Sequence, residues 1–172
     1  MVRVWPFLIA AVSVLAVSAL CAPAETKLQL SSSAFAPGGD IPTQFSCKGD
    51  NMNPPLEIHG VPSSAQSLVL ILDDPDAPGG LFTHWIVWNI LPSTSGVAQK
   101  SVPGGGVEGT NGFGKKGYGG PCPPSGTHRY IFHVFALDQK LDLPAGGKRA
   151  ALDKAIASHI IARGELTARF SH

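Results

Sequence analysis

Polar residues that could do chemistry cluster at three places in the sequence, each next to an apolar stretch. They are Asp73, Asp74, Asp76, His84, His128, Arg129 and Tyr130. Imidazoles exchange protons near neutral pH, and a carboxylate behind an imidazole fixes its tautomer. Together with a tyrosine hydroxyl, these groups could bind an anion, ligate a metal or act as a general acid and base.

The elements that must position these residues are predicted to be β-strands. The continuous apolar run "QSLVLILDD" (66–74) predicts a strand buried on both faces, and the acidic motif "DDPDAP" (73–78) closes it. "THWIVWNIL" (83–91) and "HRYIFHVFAL" (128–137) are rich in aromatic and β-branched residues and predict two further strands. If these two strands are neighbours, the polar residues at their ends converge on one rim.

The remaining chain predicts a mainly β domain with one late helix and long loops rich in glycine and proline. "TKLQLSSSAF" (26–35) alternates as a strand does, and "ELTARF" (165–170) predicts the last strand. Apolar residues four apart in "RAALDKAIASHIIAR" (149–163) predict a helix, with Gly164 as its C-terminal cap.

Two nucleotide-like glycine patterns fall in "GTNGFGKKGYGGPCPP", but their surroundings exclude both. Residues 109–115 resemble a P-loop, yet Lys116 stands where that motif needs Ser or Thr, and the proline-rich continuation cannot form a helix. Residues 112–117 match the spacing of a dinucleotide fingerprint, yet no strand–helix–strand unit surrounds them. The glycines therefore serve another purpose.

The N-terminus predicts export. Residues 1–24 combine Arg3, a long apolar run and a small-residue cleavage pattern, as in a secretory signal peptide cut before Glu25. A single domain of residues 25–172 then remains, in the periplasm or outside the cell and without a stable membrane span. Acylation of Cys21 is the lipoprotein alternative, although "SAL" before it is a poor lipid-attachment motif.

Charge and cysteine content bear on the partners and the compartment. Cleavage removes one basic residue, so that Lys+Arg falls from 13 to 12 against Asp+Glu 12, and a neutral protein has no electrostatic reason to seek nucleic acid or an anionic bilayer. Cys47 and Cys122 remain, and an oxidising compartment favours a disulfide between them. The alternative is a catalytic thiolate at Cys122 near His128.

Three interpretations of the polar rim stay open from the residues alone. In the first, the acids make turn hydrogen bonds and the histidines are structural. In the second, two histidines and two aspartates ligate zinc, although no closely spaced histidine pair occurs. In the third, the rim is an anion pocket in which His128 and Tyr130 share one strand face and Arg129 lies on the other. Backbone N–H groups of the glycine-rich loop would add donors, and the carboxylates would orient the histidines.

Several motifs together resemble the phosphatidylethanolamine-binding protein family, which includes Raf kinase inhibitor protein. They are "DDPDAP", "HWIVWNI" and "GYGGPCPPSGTHRYIFHVFAL", and "FSCKGDNMNPPLEIHGVP" with "GELTARF" resembles the bacterial branch. The resemblance covers residues from about 30 to 170. His59 and Asn53 depart from the pattern, since a tryptophan and a serine are usual there.

The resemblance implies an antiparallel β-sandwich-like fold with a peripheral helix, and a pocket for phosphate-type anions or phospholipid head groups. The ligand-binding residues that it implies are Asp74, Asp76, His84, Pro123, Pro124, His128 and Tyr130. It implies action by binding or regulation, with no catalytic residue, cofactor or metal. The alternatives are a protease inhibitor that works through an exposed loop and a hydrolase that uses the histidines and an aspartate. A homodimer stays open.

Overall fold

The computed structural model describes residue 1 and residues 26–172, and most of the regular structure there is β-strand. In chain order the strands are β1 (Thr26–Lys27), β2 (Gln29–Ser31), β3 (Leu56–His59), β4 (Ser67–Asp74), β5 (Phe82–Ile90), β6 (Gly96–Val97), β7 (Val107–Glu108), β8 (Thr127–Leu137) and β9 (Ile160–Ser171). A 3-10 turn (Thr43–Phe45) and the helix α1 (Arg149–Ile156) are the other described elements. The predicted mainly β class with one late helix is confirmed, while the predicted signal peptide and cleavage site lie outside the described residues.

The described strands form two sheets. The larger has the order β1-β9-β8-β4-β5-β7, and the smaller has the order β2-β3-β6. All pairs are antiparallel except β1 with β9. Within the described residues, no helix has the length and apolar character needed to cross a bilayer.

Strand β4 is covered on both faces, which explains its continuous apolar sequence. Leu68 and Leu70 pack with residues of the smaller sheet such as Ile58, so one core lies between the two sheets. Val69 and Ile71 point the other way, into a second core that helix α1 closes. A strand buried on both faces has no need of polar alternation. The predicted strands at 66–74, 83–91 and 128–137 are present with ends shifted by at most one residue.

Strands β5 and β8 are not neighbours, because β4 lies between them. The polar residues still converge, although the two strands that carry them are not adjacent. In the antiparallel sheet, Asp73 at the end of β4 is opposite Thr83 on one side and Ile131 on the other. The end of β4 and the starts of β5 and β8 therefore lie at the same edge.

The predicted helix over 149–163 is too long. It ends at Ile156, and the chain is already extended from Ile160. The first residues of β9 pair with β8 on one side and β1 on the other, so Ala162 is opposite both Ala136 and Thr26. Hydrogen bonding to two neighbouring strands stabilises this segment as a strand, against its helical sequence pattern. Ile160, the last residue of that pattern, still packs on the same core from the strand.

Gly164 is not a helix cap but a strand residue, so that prediction is also wrong. A Cβ atom at Gly164 would collide with the backbone of Leu28, which donates from its N–H to the Arg163 carbonyl at 2.9 Å. The glycine is required because two backbones meet there. The predicted strand over 26–35 is likewise shorter, since only Thr26–Lys27 and Gln29–Ser31 are extended.

Candidate functional site

A cleft of about 190 Å³ opens at the edge where β4 ends and β5 and β8 begin. The residues around it come from the ends of these strands, the turn after β4 and the glycine-rich loop, and they are Asp74, Ala77, Pro78, Phe82, His84, Phe113, Cys122, Pro124 and His128. Four of the residues predicted to bind a ligand therefore share one cavity. Phenylalanines and small apolar residues form its walls. The pattern of polar residues in the sequence did not indicate them.

Asp74 is the carboxylate that organises this cleft. It is buried, and its Oδ2 accepts a hydrogen bond of 2.7 Å from Nδ1 of His128. Its Oδ1 accepts from the backbone N–H of Asp76 at 2.8 Å, as an aspartate before a turn commonly does. Asp74 thus fixes the turn after β4 and makes Nδ1 the protonated nitrogen of His128.

His84 is held by the backbone of the glycine-rich loop. Its Nδ1 lies 2.7 Å from the carbonyl oxygen of Gly119, and since a carbonyl only accepts, this nitrogen carries the proton. The ring meets Tyr130, Phe82 and Phe113 edge-on, at centroid distances of 5.2, 5.0 and 5.4 Å. Burial lowers the pKa of His84 below its usual value, although the Gly119 carbonyl and the Asp74 charge oppose the shift.

Both histidines present the same atom to the cleft. Each Nδ1 is engaged with the protein, and within residues 26–172 no side-chain hydrogen bond is formed by the Nε2 of His84 or of His128, although the Gly120 backbone also lies close to the His84 ring. Each ring lines the cleft. A ligand there can therefore meet two imidazole nitrogens of fixed orientation.

Tyr130 lies below the cleft and does not line it. Its side chain is fully buried, and its hydroxyl has no hydrogen-bond partner among the described residues, although Asp74 and the Cys122 backbone lie next to it. Burial, reinforced by the Asp74 charge, raises the pKa of Tyr130 above its usual value. The phenol therefore stays protonated and supports the His84 ring by edge contact.

Asp76 forms its hydrogen bonds with Arg129 and with neither histidine of the cleft. Its two oxygens lie 2.9 Å from Nε and 2.6 Å from Nη2 of Arg129, and Oδ2 also accepts from the Arg129 backbone N–H. The hydrogen bonds from Arg129 hold the pKa of Asp76 well below its usual range. The alternation predicted for β8 holds, because His128 and Tyr130 are buried while Arg129 is exposed.

The other acid of the motif and one of the predicted prolines also lie outside the cleft. Asp73 is buried on the opposite side of the sheet, where both its oxygens accept from Nη1 of Arg149. The carbonyl of Pro123 accepts from Nδ1 of His172 at 3.0 Å, while Pro124 lines the cleft. Of the predicted set, the structure brings together Asp74, His84, Pro124 and His128, places Tyr130 beneath them and leaves Asp76 and Pro123 at the side.

Cys47 and Cys122 are joined by a disulfide, with Cα atoms 5.4 Å apart. The bond connects the wall of the cleft to the segment after the 3-10 turn. Two hydrogen bonds run in parallel with it, from the Tyr118 hydroxyl to the Phe45 carbonyl and from the Gly120 N–H to Asn51 Oδ1. The glycine-rich loop is thus a fixed wall, and Cys122 carries no thiolate.

The glycines of this loop are needed for close packing. A Cβ atom at Gly112 or Gly119 would collide with the ring of Phe82 or Phe113, and one at Gly120 would collide with the Phe45 carbonyl. The next regular element after these glycines is strand β8, whereas a phosphate-binding nucleotide loop leads directly into a helix. Their function is to let the loop approach β5 and the cleft.

In the part of the chain that the structure describes, no group of three or more His, Cys, Asp or Glu side chains is arranged to hold a metal ion. Asp74 is committed to His128 and a turn, and Nδ1 of His84 to a carbonyl. The cleft offers two imidazole Nε2 atoms against apolar walls. That arrangement suits a small group bearing hydrogen-bonding oxygens.

Comparison with known proteins agrees with this architecture. The family model described as "Phosphatidylethanolamine-binding protein" matches residues 31–171. The UPF0098 protein of Methanothermobacter thermautotrophicus is 43% identical over 144 residues, which cover 81% of this chain and 95% of the relative. "Putative lipoprotein LppC" of Mycobacterium tuberculosis is 44% identical over 151 residues, or 87% of this chain and 75% of the relative.

A solved structure shows the same fold. The crystal structure of "a Putative PhosphatidylEthanolamine-Binding Protein (PEBP) Homolog" from Chlamydia trachomatis matches with a TM-score of 0.82 and 41% identity, over 86% of this chain and 99% of that one. The family model spans nearly all of the described chain, and three of the motifs that carried the resemblance contribute residues to the cleft. The chain belongs to the phosphatidylethanolamine-binding protein family.

Proposed function

We propose that this protein binds a small phosphate-type anion, free or as the head group of a phospholipid, in the cleft between His84 and His128. It acts by binding rather than by catalysis. The observation that carries the proposal is the pair of imidazoles with anchored Nδ1 atoms and open Nε2 atoms in one cleft. Membership of a binding family supports the same conclusion.

The surroundings of the two rings favour an anion over a cation. The nearest carboxylate, Asp74, is occupied by the Nδ1 of His128 and the Asp76 N–H. A protonated His128 keeps this partner and gains an Nε2–H donor aimed at the ligand. The apolar walls exclude water, which strengthens a hydrogen bond to an anionic oxygen.

In the described part of the chain, the cleft lacks the commonest side-chain nucleophiles, which favours binding over covalent catalysis. Of the described residues that line it, none is a serine, a threonine or a free cysteine, because Cys122 is bonded to Cys47. A hydrolase that used the histidines and Asp74 would instead have to activate a water molecule as its nucleophile. Titration of the ligand is therefore the primary test.

Calorimetric titration of inorganic phosphate into the wild-type protein near pH 6 tests the proposal. His128→Ala removes a donor to a charged ligand, worth about 1.5–3 kcal/mol, and should weaken binding about ten- to a hundred-fold. His84→Ala removes a neutral partner and should weaken binding about two- to ten-fold. His59→Ala is the matched control, because His59 is exposed on β3 and pairs only with Glu57 at 3.8 Å. Equal affinity in all four proteins would refute the site.

The protein is also proposed to be exported, with residues 1–24 removed as a signal peptide and residues 25–172 forming its one domain. The disulfide supports an oxidising compartment, and a relative bears the name of a lipoprotein. The intact mass of the protein from cell fractions tests this. A chain beginning at Glu25 is the expected result, a lipid on Cys21 would show anchored export, and a mass that includes Met1 would refute export.

A further inference from the structure

We infer that the Cys47–Cys122 disulfide is a site of thiol–disulfide exchange, which an external dithiol opens by attack on Cys47, and that its opening weakens ligand binding in the cleft. The exchange site rests on the position of the two cysteines, whereas the effect on the ligand rests on the proposed function. Cys122 lines the cleft, and Cys47 lines a second hollow of about 200 Å³. Phe113 belongs to the walls of both cavities, so the disulfide lies where the two meet.

The disulfide is accessible from solvent in the folded protein. Both cysteines are exposed, and each contributes to the wall of a cavity. A thiol in either cavity thus meets one cysteine of the bond without any unfolding. Exposed disulfides have more oxidising reduction potentials than buried structural ones, and they are the labile ones. The position of this bond therefore predicts that it is reducible in the native state.

The charges of the two cavities favour attack on Cys47. The attacking species is a thiolate, which is negatively charged. Lys115 lines the second hollow, and none of the described residues in its wall is an aspartate or a glutamate. The cleft on the other side contains the buried carboxylate of Asp74. A thiolate therefore meets a permanent cation on the Cys47 side of the bond and a carboxylate on the Cys122 side.

The exchange proceeds in two balanced steps. The thiolate of the dithiol attacks Sγ of Cys47 and forms a mixed disulfide, while the electron pair of the broken bond leaves on Sγ of Cys122, which takes a proton from water. The second thiolate of the reagent then attacks the reagent's own sulfur in the mixed disulfide and releases Cys47, which is protonated in turn. The reagent is oxidised to a disulfide by loss of two electrons, and the two cysteines are reduced to thiols.

Hydrogen bonds across the same junction keep the two segments together when the disulfide is open. The Cys47 N–H donates to the Pro121 carbonyl at 3.1 Å, and the Tyr118 hydroxyl donates to the Phe45 carbonyl at 2.7 Å. These contacts hold the two cysteines near each other. The reduced protein therefore stays folded, and an oxidant can form the bond again.

Opening the disulfide changes the wall of the cleft at Cys122. The residues on either side of it remain held, because the Pro121 carbonyl accepts from Cys47 and the Pro123 carbonyl accepts from Nδ1 of His172. The Cys122 side chain, in contrast, loses its covalent partner and is free to change rotamer in the cleft that it lines. A rotating thiol occupies part of the space for the ligand, so the affinity falls.

The first test is reduction of the folded protein by dithiothreitol, with the thiols trapped by alkylation and counted by mass spectrometry. We expect a rate within about a hundred-fold of the rate in urea, while the circular dichroism stays native. A bond that opened only on global unfolding would react about a thousand-fold more slowly or less, because no more than about one molecule in a thousand is unfolded under native conditions. A native rate more than about a hundred-fold below the rate in urea would overturn the exchange site.

The second test identifies the sulfur that is attacked. After brief exposure to glutathione and rapid alkylation, peptide mapping should find glutathione on Cys47 and the alkyl group on Cys122, with Cys21 distinguished by its own peptide. Lys115→Glu should slow this adduct about five-fold at low ionic strength. Lys116→Glu is the matched control, because Lys116 does not line the hollow. Glutathione on Cys122, or equal rates in the two lysine variants, would overturn the direction of attack.

The third test links the disulfide to the cleft. Titration of phosphate should show several-fold weaker binding to the reduced than to the oxidised protein, and reoxidation should restore the affinity. Cys47→Ser removes the bond without changing a residue of the cleft, so this variant should bind like the reduced protein with or without dithiothreitol. The wild-type comparison decides the matter even if the variant does not fold.

The outcomes of the third test separate the two proposals. Equal affinity of the oxidised and the reduced protein would overturn the control of the cleft and leave the anion site standing. If the oxidised protein binds no phosphate, the proposed function fails and the control of the cleft fails with it, while the first two tests still decide the exchange site.

Discussion

The carboxylate of Asp74 and the imidazole of His128 are joined by a 2.7 Å hydrogen bond, and both side chains are buried at the edge of the larger sheet. Two residues further along the chain, Asp76 makes its ion pair with Arg129 at the protein surface. Two acids of one motif thus have different functions, one behind a histidine of the cleft and one outside it. Substituting each acid in turn therefore distinguishes an effect on the cleft from an effect on the neighbouring surface.

Asp74→Asn is expected to weaken phosphate binding about ten-fold, because His128 loses the charged acceptor that orients it and balances its positive charge. Asp76→Asn is the matched control and should change affinity by less than about two-fold, because Asp76 contacts neither histidine. Calorimetric titration of both variants checks the difference. Equal losses in the two variants would contradict the assignment of Asp74.

Acidification below neutral pH is expected to destabilise the fold through the half-buried His133 and the buried His84. Burial lowers the pKa of His133, against the charges of Asp73 and Glu165, while Arg149 adds to the shift. Between the lowered folded value and the ordinary value of about 6.5, the unfolded chain binds more protons than the folded one, so the free energy of unfolding falls as pH falls. The same sign applies to His84.

Urea unfolding at several pH values between about 7.5 and 5 measures this effect around the ordinary histidine pKa. His133→Gln should flatten the dependence, and His59→Gln, on an exposed histidine, should leave it unchanged. A wild-type free energy of unfolding that stays constant or rises as the pH is lowered would contradict the prediction.

Loss of the disulfide is expected to weaken both stability and binding. The bond joins residues 75 apart, and the loop-entropy model assigns about 4 kcal/mol to a loop of this size. Cys122→Ser should lower the free energy of unfolding by up to that amount and reduce phosphate affinity, since Cys122 forms part of the wall.

Thiol titration of the denatured, unreduced wild-type protein should find no free Cys47 or Cys122. Two reactive thiols there would refute the bond.

Gly120→Ala is expected to destabilise the glycine-rich loop. An added Cβ would meet the backbone of Phe45 and Ser46 and the side chain of Asn51, and backbone atoms cannot turn aside. Overpacking of this kind costs roughly 1–3 kcal/mol. Gly79→Ala is the control, because a Cβ there has nothing within 4 Å and the backbone is not left-handed. Gly120→Ala should therefore unfold at a lower temperature than Gly79→Ala. Similar midpoints in the two variants would contradict the prediction.

The sequence predicts the strands of the central sheet from local patterns, and the family resemblance implied the polar residues of the cleft, such as His84 and His128. The apolar run 66–74 predicts a buried strand, and the prolines of "DDPDAP" predict the turn that ends it. The disulfide pairing followed from two cysteines and a predicted compartment.

The features that the sequence could not predict depend on which backbones meet. The helical spacing through Ile160 gave no sign that β8 and β1 pair with it from both sides. Nor could spacing show that β4 separates β5 from β8, or that Asp76 binds Arg129 while Asp74 binds His128. Phe82 and Phe113, the apolar walls of the cleft, had no chemical signature of their own.

The most direct test of the anion site is a ¹⁵N NMR titration of the histidine side chains with inorganic phosphate. The chain has six histidines, which provide internal controls. We expect the Nε2 signals of His84 and His128 to shift together and saturate with one affinity, while those of His59, His133, His159 and His172 stay in place. Phosphate-dependent shifts at the other four histidines, with His84 and His128 unmoved, would contradict the account.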